Sequence, residues 1–313
     1  MDSFPETDGN TEGLVELVAV LIAVTDGQPR VLTVDNGNLL LNGPLLPVHR
    51  SLQAGVRVWV AKKTGQPMGY VEQLYTFLDT NCKNGQGLPV LYVSYLGLVR
   101  EANENILSDT ARWCDWYAYF PRENTCHPDH EQIIAHIVQH IRRWANTADT
   151  EATRRERLNR MNLCWGLEPY EWSEEYVLLR YELLYESGLI HESPEPAAGF
   201  DLNLTGKAMA HDHRRVLATA MSRLRAKIKY RPIIYELLPP QFTLLQLQQS
   251  IEALIGLRLH KQNFRRQIKH QDLIEPVPGN TVSSIGRPAQ LYRFKDNILL
   301  ESPISDIKLP LRK

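Results

Sequence analysis

The ten residues KQNFRRQIKH at 261–270 are the densest group in this chain of side chains able to recognise another molecule. Arg265 and Arg266 carry planar guanidinium forks that can engage a guanine edge in bidentate fashion, and Asn263 has the donor–acceptor pair that matches adenine. Lys261 and Lys269 are point charges suited to backbone phosphates. A basic helix can also be a plain solvated face, and here the charge distribution separates the two readings. Residues 222–313 hold 16 Lys+Arg against 7 Asp+Glu, and the rest of the chain holds 19 against 29, so the formal net charge of −1 conceals a strongly dipolar molecule. A basic end of this kind is the footprint of a binder of phosphate backbones. Double-stranded DNA is the expected partner.

The elements around these residues point the same way. Thr243 precedes Leu244, Leu247, Ile251 and Leu254, apolar positions at helical spacing, and Gly256 stands where that helix should stop. A second helical run covers 260–273, with Phe264, Ile268 and Leu273 as its inward positions. Ile274-Glu275-Pro276, a Gly/Asn/Ser/Thr-rich loop and Gln290-Leu291-Tyr292-Arg293-Phe294 then read as a hairpin with Arg287 near its tip. Helix, turn, basic helix and hairpin make a winged helix-turn-helix. Its second helix would enter a major groove, and Arg287 would meet the backbone or the minor groove.

At 313 residues the chain has room for two domains, and 43% hydrophobic with 23% charged residues is ordinary for a globular protein. No apolar run reaches the roughly 18 residues that span a bilayer, and residues 1–13 are acidic and polar, unlike a signal peptide. The expectation is a cytoplasmic protein without membrane contact. Four scattered cysteines, without a CxxC pair, indicate neither a zinc ribbon nor a disulfide framework.

Residues 1–12 read as disordered. Residues 14–24 and 30–34 are apolar, β-branched runs joined through Asp26-Gly27, a hairpin signal. A third run covers 39–46. Ser51 can cap a helix that closes at Thr64-Gly65. Further strands are expected over 71–78, 88–99 and 116–120. The class is α+β.

At this point the sequence resembles a known group. The strand, the DGQPR turn, the second strand, the helix ending in Thr-Gly and the segment GYVEQLYTF at 69–77 resemble a Nudix domain. With NFRR at 263–266 and GRPAQLYRF at 286–294, the chain resembles Nudix-related regulators of NAD metabolism (the NrtR/NadQ type), in which that domain precedes a winged helix. The alphaproteobacterial NadQ branch, which has lost the Nudix box and carries a helical insertion, matches best. The resemblance implies a repressor of NAD synthesis and salvage genes, a homodimer on a palindromic operator, and an adenine nucleotide effector such as NAD, ATP or ADP-ribose, with no cofactor required.

The Nudix box, Gx5Ex7REUxEExG, uses helix glutamates to bind divalent ions. With its closing glycine on Gly65, the three helix glutamates fall on Trp59, Lys62 and Lys63, the earlier glutamate on Arg50 and the opening glycine on Pro44, beside Gly43. Hydrolysis is therefore not expected. The rival reading, an active hydrolase of a nucleoside diphosphate derivative with an accessory winged helix, has this substitution pattern against it. Arg50, Lys62 and Lys63 could neutralise a diphosphate directly; the two lysines also suit the helix dipole as plain surface residues. Glu72, Gln73 and Tyr75 complete the candidate effector site. At strand spacing Gln73 and Tyr75 would share a face and Glu72 the other, and core packing accounts for Tyr75 equally well.

Residues 122–210 read as a mostly helical insertion, a source of extra core or of a dimer contact. Ile133, Ile134, Ile137, Val138 and Ile141 form a helical stripe, residues 147–160 could be loop or helix, and 176–189 form an amphipathic helix. His136 and His140 are four apart, but no third ligand is in view. A helix from 211 to about 237, broken near Pro232, would join the effector-sensing domain (13–221) to the DNA-binding domain (222–313).

Overall fold

The computed structural model describes residues 15–44, 51–65, 68–83, 89–101, 107, 110–230, 233–282 and 289–295. Its centre is a six-stranded sheet of β1 (Val15–Thr25), β2 (Gln28–Val34), β3 (Leu39–Pro44), β4 (Val71–Lys83), β5 (Pro89–Leu98) and β6 (Arg112–Asp115), in the order β4-β5-β1-β3-β2-β6. β1 and β5 run parallel and the other pairs antiparallel. β1 is almost wholly apolar because both its faces are covered. Leu17, Ala19, Leu21 and Ala23 meet α1 (Leu52–Thr64) through Val56, Trp59 and Val60. Val18, Val20 and Ile22 join the core of α5 (His213–Tyr230), which includes Val216, Leu217 and Ala220. The expected Asp26-Gly27 turn is present: both residues are left-handed, φ 51° and 72°, as a two-residue hairpin of matching twist requires.

α1 begins and ends where its sequence dictates. Ser51 Oγ accepts from the Ala54 amide, and Gly65 turns left-handed at φ 64°. The expected strand at 116–120 is instead a 3-10 turn, Trp116–Ala118. The Asp115 carboxylate accepts from the Tyr117 amide and curls the chain out of β6 before Pro121.

The insertion is helical: α2 (His130–Ala145), α3 (Glu151–Trp165) and α4 (Val177–Glu186). The polar stretch 147–160 runs from a turn into α3, which Thr150 caps. Ile137, Ile141, Met161, Tyr181 and Leu183 join the core beneath α5, so these helices act as added core. The long joining helix appears as α5 and a 3-10 turn, Ile233–Leu237; Pro232 lies outside the described residues, and α5 runs unbroken through 221. β7 (Phe242–Thr243), α6 (Leu244–Ile255), α7 (Lys261–His270), β8 (Ile274–Val282) and β9 (Ala289–Phe294) are the last of the described elements. Leu247, Ile251, Leu254 and Phe264 belong to the same apolar core as α5, so the two halves are packed together.

Candidate nucleic-acid interface and effector domain

The helix-turn-helix is set by three local devices. Thr243 and Gln246 form a reciprocal capping box at the start of α6. Gly256 ends α6 at φ 72°, and a Cβ there would lie 2.1 Å from the Glu123 carbonyl oxygen, so both conformation and space demand glycine. The turn is then braced from α6: Glu252 Oε1 accepts from the Leu259 amide at 2.9 Å, and Gln248 Nε2 donates to the Leu259 carbonyl at 3.1 Å.

α7 buries Phe264 and Ile268, half-buries Asn263 and Gln267, and turns the rest outward. Lys261, Gln262, Arg265, Arg266, Lys269 and His270 are exposed. Asn263 is half-buried, and its Oδ1 accepts from Arg266 Nη2 at 3.4 Å. The sequence-predicted residues 261, 263, 265, 266 and 269 are thus brought together on one element. In the wing, β8 and β9 pair antiparallel and β7 adds a short third strand, in the order β7-β9-β8. Arg293 is tied across the hairpin to Glu275 at 2.6 Å, and Arg287 lies outside the described residues.

In the first domain, Trp59 is the residue that alignment of the box on Gly65 sets against its first helix glutamate. Its indole is buried at 7% exposure and lies against β3, so that a Cβ on Gly43 would be 2.7 Å from its Cζ2. Lys62 and Lys63 follow one turn on, exposed in the last turn of α1. Arg50 lies outside the described residues. Among the described residues, no group of three His, Cys, Asp or Glu is placed to hold a metal ion. His136 and His140 lie 4.8 Å apart by ring centroid and pack on Phe200.

The expected alternation in β4 is corrected. Between Gln73 and Thr76 the register against β5 shifts: Gln73 faces Tyr95, but Thr76 faces Val93, so the strand carries a bulge. Glu72 and Tyr75 therefore both look toward α5, while Gln73 is exposed on the other side. Glu72 is bound to Lys227 Nζ at 2.7 Å and accepts from the Tyr70 hydroxyl at 2.5 Å. Tyr75 packs beside Phe77 with the rings tilted and their centroids 5.0 Å apart, and burial, reinforced by Asp212, pushes its hydroxyl up to about 12.

One site escaped sequence reasoning. Glu123, Arg180 and Arg225 form a buried ionic cluster, 4%, 1% and 0% exposed. Arg180 grips the Glu123 carboxylate through Nε and Nη2 at 2.6 and 2.7 Å, and Arg225 Nη1 adds a third contact at 2.7 Å. Arg225 Nε also donates to the Leu254 carbonyl of α6 at 2.8 Å, and Tyr117 Oη donates to Ala253 O at 2.6 Å. Burial alone would raise the Glu123 carboxyl; the two guanidiniums outweigh it and hold it below the ordinary range. This cluster joins the insertion, α5 and the C-terminal end of α6. The only sequence trace is a set of charged residues within apolar neighbourhoods.

Comparison with known proteins agrees with this geometry. Residues 234–294 match the family model described as the NrtR DNA-binding winged helix domain. A curated relative from Acinetobacter baylyi, "ADPR responsive transcriptional repressor NtrR", is 38% identical over 86 residues; the match covers 28% of this chain and about a third (34%) of that relative. The crystal structure of Shewanella oneidensis NrtR complexed with a 27mer DNA superposes with a TM-score of 0.54 at 21% identity, over 91% of this chain and 95% of that one. A MutT/nudix family protein from Enterococcus faecalis gives 0.51 at 15% identity, over 94% and 90%. No described helix is long and apolar enough to cross a membrane. The chain thus has an NrtR-like architecture, a Nudix fold followed by an NrtR-type DNA-binding winged helix.

Proposed function

We propose that this chain is a DNA-binding transcriptional repressor whose Nudix-like domain senses ADP-ribose without hydrolysing it. The observation that carries the reading is α7, an outward helix face of cations and amides within the segment that matches the NrtR winged helix. Arg265 and Arg266, with Asn263, would lie in the major groove, and Lys261, Lys269 and Arg287 would meet phosphates or the minor groove. The relative's name, an ADPR-responsive repressor, supports ADP-ribose over NAD or ATP as effector. Arg50, Lys62 and Lys63 are proposed to neutralise its diphosphate, with Gln73 on the side of β4 away from α5; Glu72 and Tyr75, also expected in this site, face α5 on the opposite side of the sheet from α1. Glu72 already serves Lys227 on α5, which links that edge of the sheet to the helix leading into the winged helix. The indole of Trp59 against Gly43 supports a non-hydrolytic domain, because a carboxylate is needed there to hold a divalent ion.

The remaining parts of the reading are a homodimer on a palindromic operator and control of NAD synthesis and salvage genes. The test is fluorescence anisotropy on a promoter fragment from an NAD-synthesis operon, with a scrambled duplex as control and ADP-ribose, NAD and ATP titrated in turn. Sequence-selective binding modulated by ADP-ribose is the expected result. Magnesium-dependent turnover of ADP-ribose without sequence-selective binding would refute it.

A further inference from the structure

Resting on the DNA-binding reading above, the geometry of α7 points to Gln262 as a base-reading residue, paired with Arg266 one helical turn away. The side chains at the core define the inward direction. Phe264 and Ile268 are buried, and at about 100° per residue the line opposite their mean runs through Arg266, with Gln262 and His270 about 40° to either side. All three are exposed. Lys269 and, farther round, Arg265 lie on one flank of that line. Asn263 lies on the other, half-buried, with its Oδ1 accepting from Arg266 Nη2. Asn263 thereby braces the guanidinium of Arg266 toward the outer line.

The chemistry of the outer line is specific. A glutamine amide has one donor and one acceptor side by side, the complement of adenine N7 and N6, and arginine is the complement of guanine N7 and O6. Residues four apart on a helix are about 6 Å apart along its axis, close to two base-pair steps at roughly 3.4 Å each. Gln262 and Arg266 therefore suit an adenine and a guanine about two steps apart in one half-site. Gln262 is uncharged, so its contribution is to sequence preference and not to phosphate neutralisation.

The experiment selects preferred duplexes from a random library with the full chain, then measures binding to the selected site and its single-base variants for wild type, Gln262→Ala, Gln262→Glu and Arg266→Ala. Wild type is expected to prefer adenine at one position per half-site by roughly 5- to 150-fold over other bases. Gln262→Ala should flatten that position alone and leave the slope of log affinity against log salt unchanged. Gln262→Glu should move the preference toward cytosine, whose N4 amine is a donor. Arg266→Ala should flatten a guanine position about two steps away. A selective wild type whose preferences survive Gln262→Ala at every position would overturn this assignment and leave the DNA-binding reading intact. A wild type that selects no sequence would overturn both.

Discussion

Arg225→Met tests the link between the two halves of the molecule. Arg225 is fully buried and directs its five donors to the Glu123 carboxylate and carbonyl, the Glu174 and Leu254 carbonyls and the Tyr117 hydroxyl. Methionine nearly fills the volume but leaves Glu123 with one cation where it had two and strands the acceptors. Breaking a buried ionic cluster by removing one partner costs about 3–5 kcal/mol, against a total of about 5–15 for a typical domain. Urea unfolding at neutral pH should show that loss, with the winged helix separating first because the Leu254 contact is gone. The pH dependence adds a second reading. Glu123 is held low, so its stabilisation is present above its unfolded value of about 4.3 and lost as pH falls through its lower folded value. With one guanidinium removed the folded value rises, and acid unfolding of the variant should begin at higher pH than in wild type. The combined variant Glu123→Leu/Arg180→Met/Arg225→Met removes the charges together and should recover much of the loss. A cost below about 1 kcal/mol for Arg225→Met would refute the reasoning.

Other outcomes follow from the same structure. Gly256→Ala forces an L-residue into a left-handed position and drives a methyl group into the Glu123 carbonyl, so thermal unfolding should show a loss of about 1–3 kcal/mol, with weaker DNA binding. Trp59→Ala empties the space beside Gly43 and should cost about 3–5 kcal/mol by chemical denaturation. Lys261→Ala and Lys269→Ala should each lower the salt slope of DNA binding by about 1; an unchanged slope assigns that residue elsewhere.

What the sequence revealed was largely what is decided locally. Ser51 and Gly65 bound α1, and Thr243, Gln246 and Gly256 bound α6, because caps act over three or four residues. The cationic α7 was likewise legible from its spacing and charge. The β4 bulge was not: period-two counting has no means to register one extra residue, and the slip placed Tyr75 with Glu72 on the α5 side. α3 read ambiguously because it buries only Met161, Cys164 and Trp165 near its end. The Glu123 cluster joins residues 57 and 102 positions apart, a proximity no local pattern encodes. Gln262 was passed over beside its charged neighbours; helical phase relative to Phe264 and Ile268 could have found it.

The central claim is that one chain couples an ADP-ribose site to a DNA-reading head. Its most direct test is the apparent Kd of the full protein for its selected duplex, measured by anisotropy at fixed salt across an ADP-ribose titration, with ligand binding followed in parallel by calorimetry. Because coupling free energies are reciprocal, the account predicts that saturating ADP-ribose changes the DNA Kd at least about fivefold, and that saturating DNA changes the ADP-ribose Kd by the same factor. Calorimetry that shows ADP-ribose bound while the DNA Kd stays unchanged would contradict it.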